Sequence, residues 1–412
     1  MPASEETKAS SAEGCQKTRL ALLWMNLASE PLVALYSLLP FILCKDLNVS
    51  NLQLSLFITL RPVISAFSFY WSAFLKEGKG RLVANLMGAC ALAYLPFLFF
   101  PLMHHFWVIF IASGLYQLFS RAAIPSLMEI LKRNIPKQPR EQAFSLFFLF
   151  SFLESGVLGL FVGKLLDGHL VPWHVLFFLG ALIGLSTLLI FRGLVVPVKP
   201  KAEVEQPVSF VQPWQESYRL LRSRLDFAHF QGLFMVGGAA LMIMAPAFLR
   251  YYADTLQLSY SDLTMARFVF MAIGVTAASQ LWRKGLDKIP LLKLTSWVLL
   301  GFGLFPIALL MAQINLGFIY LGFLIYGVAQ AGSHLLWHLS GTIFAGEGDS
   351  TPFTRVNLLT VGLRGAVFPL VGGLLCDLCG HQAVLVLGVL LCFGGALWVY
   401  RRAPQGATSH SL

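Results

Sequence analysis

Twelve apolar stretches, each about the 20 residues that carry a helix across a bilayer, run the length of this chain. They cover roughly 20–43, 52–75, 82–102, 106–128, 142–165, 172–193, 227–250, 262–282, 289–311, 315–340, 355–376 and 382–400. Such a chain has lipid for its solvent. Lipid offers main-chain groups no hydrogen bonds, so only helices or a closed barrel can span it. Unbroken apolar runs of this length select helices. The composition agrees, with 57% hydrophobic and only 12% charged residues, where a soluble domain carries about 25% charged. Thirty-five Phe supply lipid-facing bulk and 35 Gly permit close helix packing. The first 19 residues are polar and the stretch after them is long enough to stay in the membrane, so no cleaved signal peptide is expected.

The formal charge of +10 is topological. With both termini inside, the inner segments hold 23 Lys and Arg, and the outer ones only Lys45, Lys164 and Arg250. This bias fixes the expected orientation, both ends cytoplasmic, and places the basic residues against anionic headgroups. It removes the nucleic-acid reading of the charge. The longest polar break, 194–226, divides six spans from six. Pro197, Pro200, Pro207 and Pro213 extend its first half, and Trp214, Tyr218, Leu221 and Leu225 then recur at helical spacing among Arg219, Arg222 and Arg224. That pattern predicts a basic amphipathic helix on the inner membrane surface. The expected domains are an inner tail at 1–19, helical bundles at 20–193 and 227–400 joined by the 194–226 linker, and an inner tail at 401–412.

A constant offset links the halves. Leu47-Asn-Val-Ser50-Asn-Leu-Gln-Leu54-Ser55 is echoed 209 positions on by Leu256-Gln-Leu-Ser259-Tyr-Ser-Asp-Leu263-Thr264. Gly156, Val162, Gly163, Leu165 and Leu166 are echoed at the same offset by Gly365, Val371, Gly372, Leu374 and Leu375. Parallel halves in a membrane protein point to a substrate site at the midplane between them.

Six spans, a basic inner linker and six more spans resemble the major facilitator superfamily of transporters. Ile135-Pro-Lys-Gln-Pro-Arg140-Glu-Gln-Ala143 resembles that family's inner loop between spans four and five. Tyr218–Phe227 resembles the approach to span seven, and Gly362-Leu-Arg364-Gly365-Ala-Val-Phe-Pro369-Leu-Val-Gly372-Gly373 the Gly/Pro-rich span eleven. The family's loop signature between spans two and three is incomplete: Ala73-x-x-x-Glu77-Gly78-Lys79-Gly80-Arg81 lacks the opening Gly and the basic neighbour of the acid. The loop at Arg283–Lys288 is weaker still. In span five Leu160 stands where the drug/proton antiporters have Pro. The resemblance implies an all-α polytopic fold of 12 transmembrane helices in two six-helix bundles, related by a pseudo-two-fold along the membrane normal. It also implies that spans one, four, seven and ten line the cavity, and that two meets eleven and five meets eight between domains.

Of the 50 Asp, Glu, Lys and Arg residues, only Glu30, Arg61, Arg121, Glu154, Arg267 and Arg364 fall well inside spans. Each costs at least about 2.5–3.5 kcal/mol at a helix centre, so each should face water or a partner. Glu30 precedes Pro31, which cannot donate a main-chain hydrogen bond and so favours local unwinding beside the acid. Two readings stand for Glu30 and Arg121: a coupling carboxylate with a substrate-binding cation, or a structural ion pair. Glu154 and Arg267, opposite in charge on spans five and eight, suggest an inter-domain latch, with substrate contact as the other reading. Arg61 and Arg364 have no acid at their depth, and their planar forks suit a carboxylate or phosphate. His334 and His338 lie one helical turn apart, open to structural hydrogen bonding, a proton or substrate role, or metal binding.

No Gly-x-x-x-x-Gly-Lys-Ser/Thr motif signals ATP driving, and no nucleophile constellation signals catalysis. No cofactor and no structural metal are expected. Cys376-Asp-Leu-Cys379 with His381 is the only cysteine cluster, read as incidental small residues at a helix end or as a disulfide or metal contact. Asn48-Val-Ser50 matches a glycosylation sequon but lies in a very short loop. The expected function is secondary active transport of a small polar solute, anionic or zwitterionic, coupled to a proton or another ion. The expected setting is a monomer in the plasma membrane, the inner membrane if the source is bacterial. The alternative is a transporter-like scaffold or sensor without flux. A polytopic membrane enzyme is disfavoured because the charges spread over six spans.

Overall fold

The computed structural model describes residues 3–67, 81–135, 154, 156–194, 196, 211–346 and 348–402. These residues are almost wholly helical, with no strand among them. In chain order they form α1 (Ala3–Lys45), α2 (Asn51–Ala66), α3 (Arg81–Tyr94, continued by a 3₁₀ segment Leu95–Leu102) and α4 (Phe106–Asn134). Helix α5 (156–167) follows, then α6 (Trp173–Leu185), the short α7 (Thr187–Phe191) and the linker helix α8 (Gln212–Ser223). The rest are α9 (Leu225–Arg250), α10 (Tyr260–Thr264), α11 (Met271–Lys288), α12 (Leu291–Met311), α13 (Gly317–Ala345), α14 (Thr351–Cys379) and α15 (His381–Arg402). Two π-helical turns, Tyr251–Thr255 and Met265–Phe270, flank the α10 corner.

Among the described residues, ten segments are long and apolar enough to cross a membrane. The protein is an integral, multi-pass membrane protein. Segment ends follow local chemistry. Glycines in the left-handed region, Gly346 (φ 58) and Gly380 (φ 84), stop α13 and α14. The second and fifth expected spans fall partly outside the described residues, which omit 68–80 and 136–153. Helices α2 and α5 are their described portions. The linker helix ends at Ser223, and Leu225, expected on its apolar stripe, opens α9 instead.

Burial shows what lipid requires. On α4, Trp107, Ile111 and Leu115 form an exposed stripe, while Ile109, Ala112 and Tyr116 turn inward. Small residues set the helix seams. Gly274 faces the Leu324 carbonyl, Gly327 faces that of Met271, and Gly332 lies under the Trp282 indole, so α11 and α13 touch along their length. Trp282 Nε1 also donates to the Val328 carbonyl at 2.8 Å. Gly362 and Gly365 of α14 receive Ala66 and Pro62 of α2. This is close backbone approach without a hydrophobic driving force, the usual logic of helices in lipid.

Packing divides the chain into one unit of residues 1–39 and 67–208, and a second of 40–66 and 209–412. In the first, Tyr36, Phe97, Phe100, Tyr116 and Phe177 make an aromatic core, and Gly184 lies against the Tyr94 ring. In the second lie both corners of the sequence repeat, and three features recur in both. Asn48 (φ 44) and Gln257 (φ 46), 209 apart, both take the left-handed conformation. Behind them Val49 N–H donates to the Leu43 carbonyl at 3.2 Å, and Leu258 N–H to that of Tyr252 at 2.9 Å, again 209 apart. Ser50 Oγ then caps the Gln53 N–H at 3.2 Å, and Ser259 Oγ caps the Asp262 N–H at 2.9 Å. The echo in sequence is one corner built twice.

Candidate functional site

In the first unit, Glu30 is half-buried on α1, one position before Pro31. Its carboxylate lies within electrostatic reach of the Tyr94 hydroxyl and of Glu154. Tyr94 also hydrogen-bonds Ser29. Glu154 is half-buried, and its Oε2 has no hydrogen-bond partner. Two half-buried acids, one on α1 and one just before α5, thus lie within electrostatic reach of one another. Arg121 is half-buried mid-way along α4, four residues before Pro125.

The second unit carries the opposite charge. Arg364 of α14 is only 8% exposed. Its guanidinium fills the gap left by the missing side chain of Gly238 on α9 and stands 5.9 Å from the Phe234 ring centroid. Its Nε and Nη1 are buried with no hydrogen-bond partner. Arg267 sits inside the π-turn Met265–Phe270, within electrostatic reach of the Tyr252 and Tyr326 hydroxyls and of Arg61. π-turns of this kind concentrate at functional sites, because the extra residue re-aims a side chain. Arg61 itself is exposed on α2, beside the Pro62 that packs on Gly365.

His334 and His338 are exposed on α13 with rings 6.0 Å apart and nearly parallel. Gln330 Nε2 lies 2.7 Å from His334 Nε2, and Trp337 packs edge-on against His338 at 4.6 Å. Among the described residues no three His, Cys, Asp or Glu side chains could share a metal. All six cysteines are free thiols, Cys376 buried and Cys379 exposed.

A neutral polar network escaped the sequence reading. Gln231 of α9 donates to Asn357 Oδ1 of α14, and Asn357 Nδ2 donates to Ser340 Oγ at 2.9 Å and to the Trp337 carbonyl at 3.2 Å. Thr360 Oγ1 donates to Gln231 Oε1 at 3.2 Å. An amide in an apolar span was the available signal. Beyond the bundle, Glu216 of the linker helix pairs with Arg355 at the start of α14. Hydrogen bonds from Gln212 and Arg355 hold its carboxyl below the usual carboxylate range.

The sequence model of the Major Facilitator Superfamily matches residues 24–349. The chain belongs to that superfamily. Solved structures agree on the fold. A POT family transporter in complex with 5-aminolevulinic acid superposes with a TM-score of 0.73 at 15% identity, over 95% of this chain and 96% of that one. A mutant form of the nucleoside transporter NupG gives 0.68 at 13% identity, over 93% and 99%. A bacterial homolog of the human lysosomal transporter Spinster gives 0.60 at 12%, over 96% and 99%. A comparison with curated proteins finds no match. As a superfamily member the protein is a secondary transporter of small solutes and not an enzyme.

Proposed function

We propose that the protein moves a small anionic or zwitterionic solute by alternating access, coupled to protons. The observation that carries the solute's charge is Arg364: a guanidinium seated in a glycine gap, with two buried donors unpaired. A planar fork of donors in low dielectric is a carboxylate or phosphate receptor. Arg61 and Arg267, like charges in mutual reach, add to the same preference. Complexes of POT family relatives with 5-aminolevulinic acid and with sulfate support this reading. Arg121 contributes a further cation to the solute.

Glu30 with Glu154 is the proposed coupling site, since two half-buried acids in electrostatic reach of one another are a place where one proton can be carried. His334 and His338 serve as solute or relay contacts. Glu154 and Arg267 form the proposed inter-domain latch, and charge reversal at both should partly restore what either reversal loses. The rest of the reading is twelve spans in two six-helix bundles related by a pseudo-two-fold, at work as a monomer in the plasma membrane. Both termini are cytoplasmic and the 194–226 linker lies on the inner surface, so a reporter fused after residue 200 should read as cytoplasmic.

Counterflow of labelled carboxylates and amino acids in proteoliposomes tests the proposal. Saturable flux that prefers anionic or zwitterionic solutes is expected. Preference for neutral or cationic solutes overturns the charge assignment. Saturable binding without flux, with or without a pH gradient, favours the scaffold.

A further inference from the structure

The two copies of the repeated corner hold one another. Lys45, on the first copy, donates from Nζ to the Leu258 carbonyl at 2.7 Å. Arg250, beside the second copy, donates from Nη2 to the Val49 carbonyl. Val49 and Leu258 are 209 apart. Each copy thus presents the same main-chain carbonyl, and the other supplies a cation for it. The carbonyls are available for a reason. Each lies one residue before its helix N-cap, outside the ladder that begins at the Ser50 and Ser259 carbonyls.

Both cations are held in place. Lys45 lies over the Tyr260 and Phe41 rings, 4.6 and 5.6 Å from their centroids. Arg250 also reaches Asn51 Oδ1 at 2.8 Å and Asn48 Oδ1 at 3.2 Å, and stands 3.6 Å from Asp254. Asn51 in turn donates to Asp377 Oδ1 of α14 at 2.7 Å. Arg250 is buried for all its place at a helix end.

We propose that this reciprocal pair is a lock on the α1–α2 and α9–α10 corners, the outer ends on the topology above, and that each transport cycle releases it. The chemistry suits release. A main-chain acceptor is uncharged, so a departing cation strands no buried carboxylate, the penalty that makes a buried ion pair costly to part. Two equivalent bonds acting on one equilibrium make closure cooperative. The lock rests on the alternating-access reading but not on the solute's charge or the coupling ion, because its test needs neither.

The test uses the full chain in lipid nanodiscs, with Cys15 and Cys379 replaced by serine and spin labels on cysteines introduced at Leu52 and Leu256. The parent should show one dominant short distance. Arg250→Gln and Lys45→Met should each enlarge a longer-distance population about tenfold relative to the short one, the shift expected when one charge-assisted bond is lost. Arg250→Lys, which keeps a cation, should fall between. A distance distribution unchanged in both variants overturns the lock, including when melting temperature falls, since that combination marks packing alone.

Discussion

The two units differ most in the sign of the charges they cluster. The first gathers acids, Glu30 and Glu154, around Tyr94. The second gathers guanidinium groups, Arg267 near Arg61 and Arg364 against Phe234 and Gly238. The sequence repeat makes the contrast instructive. At the 209 offset Ser155 corresponds to Arg364 and Ile58 to Arg267, so at these positions a shared scaffold carries charge in one copy only. Duplication supplies helices and corners. Chemistry resides where the copies diverge, and on this reading the first unit carries the proton while the second, with Arg121 of the first, meets the solute.

Removing one side's charge should therefore break one task and spare the other. Glu30→Gln has the largest expected effect: loss of pH-driven accumulation with exchange retained, read as uphill uptake against counterflow in the same proteoliposomes. Unchanged uphill uptake would take Glu30 out of the coupling role. Arg364→Gln should do the converse, weakening apparent solute affinity by roughly 10–100-fold while coupling persists, as for loss of one charged hydrogen-bond partner. Gly238→Ala should reproduce much of that loss, because a new methyl occupies the guanidinium's place. If Gly238→Ala transports normally, Arg364 is not seated there for binding.

The neutral network sharpens the contrast from the side of stability. Asn357→Leu leaves Gln231 and Ser340 short of partners and should cost about 1–3 kcal/mol, seen as a lower melting temperature in detergent with solute preference unchanged. The smallest effect belongs to the linker. Glu216 is held below the ordinary carboxylate range, so its tie to Arg355 is present at neutral pH and lost as pH falls through that depressed value. Trp214 fluorescence should report the release, and Glu216→Gln should remove its pH dependence.

The spans were legible because lipid sets their length: 289–311 was expected and Leu291–Met311 is observed. Charges deep in spans were legible because each is expensive there. Other features left no such mark. Arg250 read as a topological cation at a span end, yet it is buried and bridges two corners. Gln231 and Asn357 carry no charge and blend into apolar runs. A π-turn adds a residue without altering hydropathy, so nothing announced the one that holds Arg267. Gly238 was one glycine among 35, and only a neighbouring helix reveals what it makes room for.

The seam between α11 and α13 has a mechanical meaning. Gly274, Gly327 and Gly332 bring main chain onto main chain and ring, and the Trp282 indole is pinned to the Val328 carbonyl. Side chains that interdigitate can slip by one rotamer, whereas bare backbones pressed together have no slack to give. The seam thus runs unbroken from Met271, the residue after the π-turn that carries Arg267, packed on Gly327, to Trp282, packed on Gly332 two residues before His334.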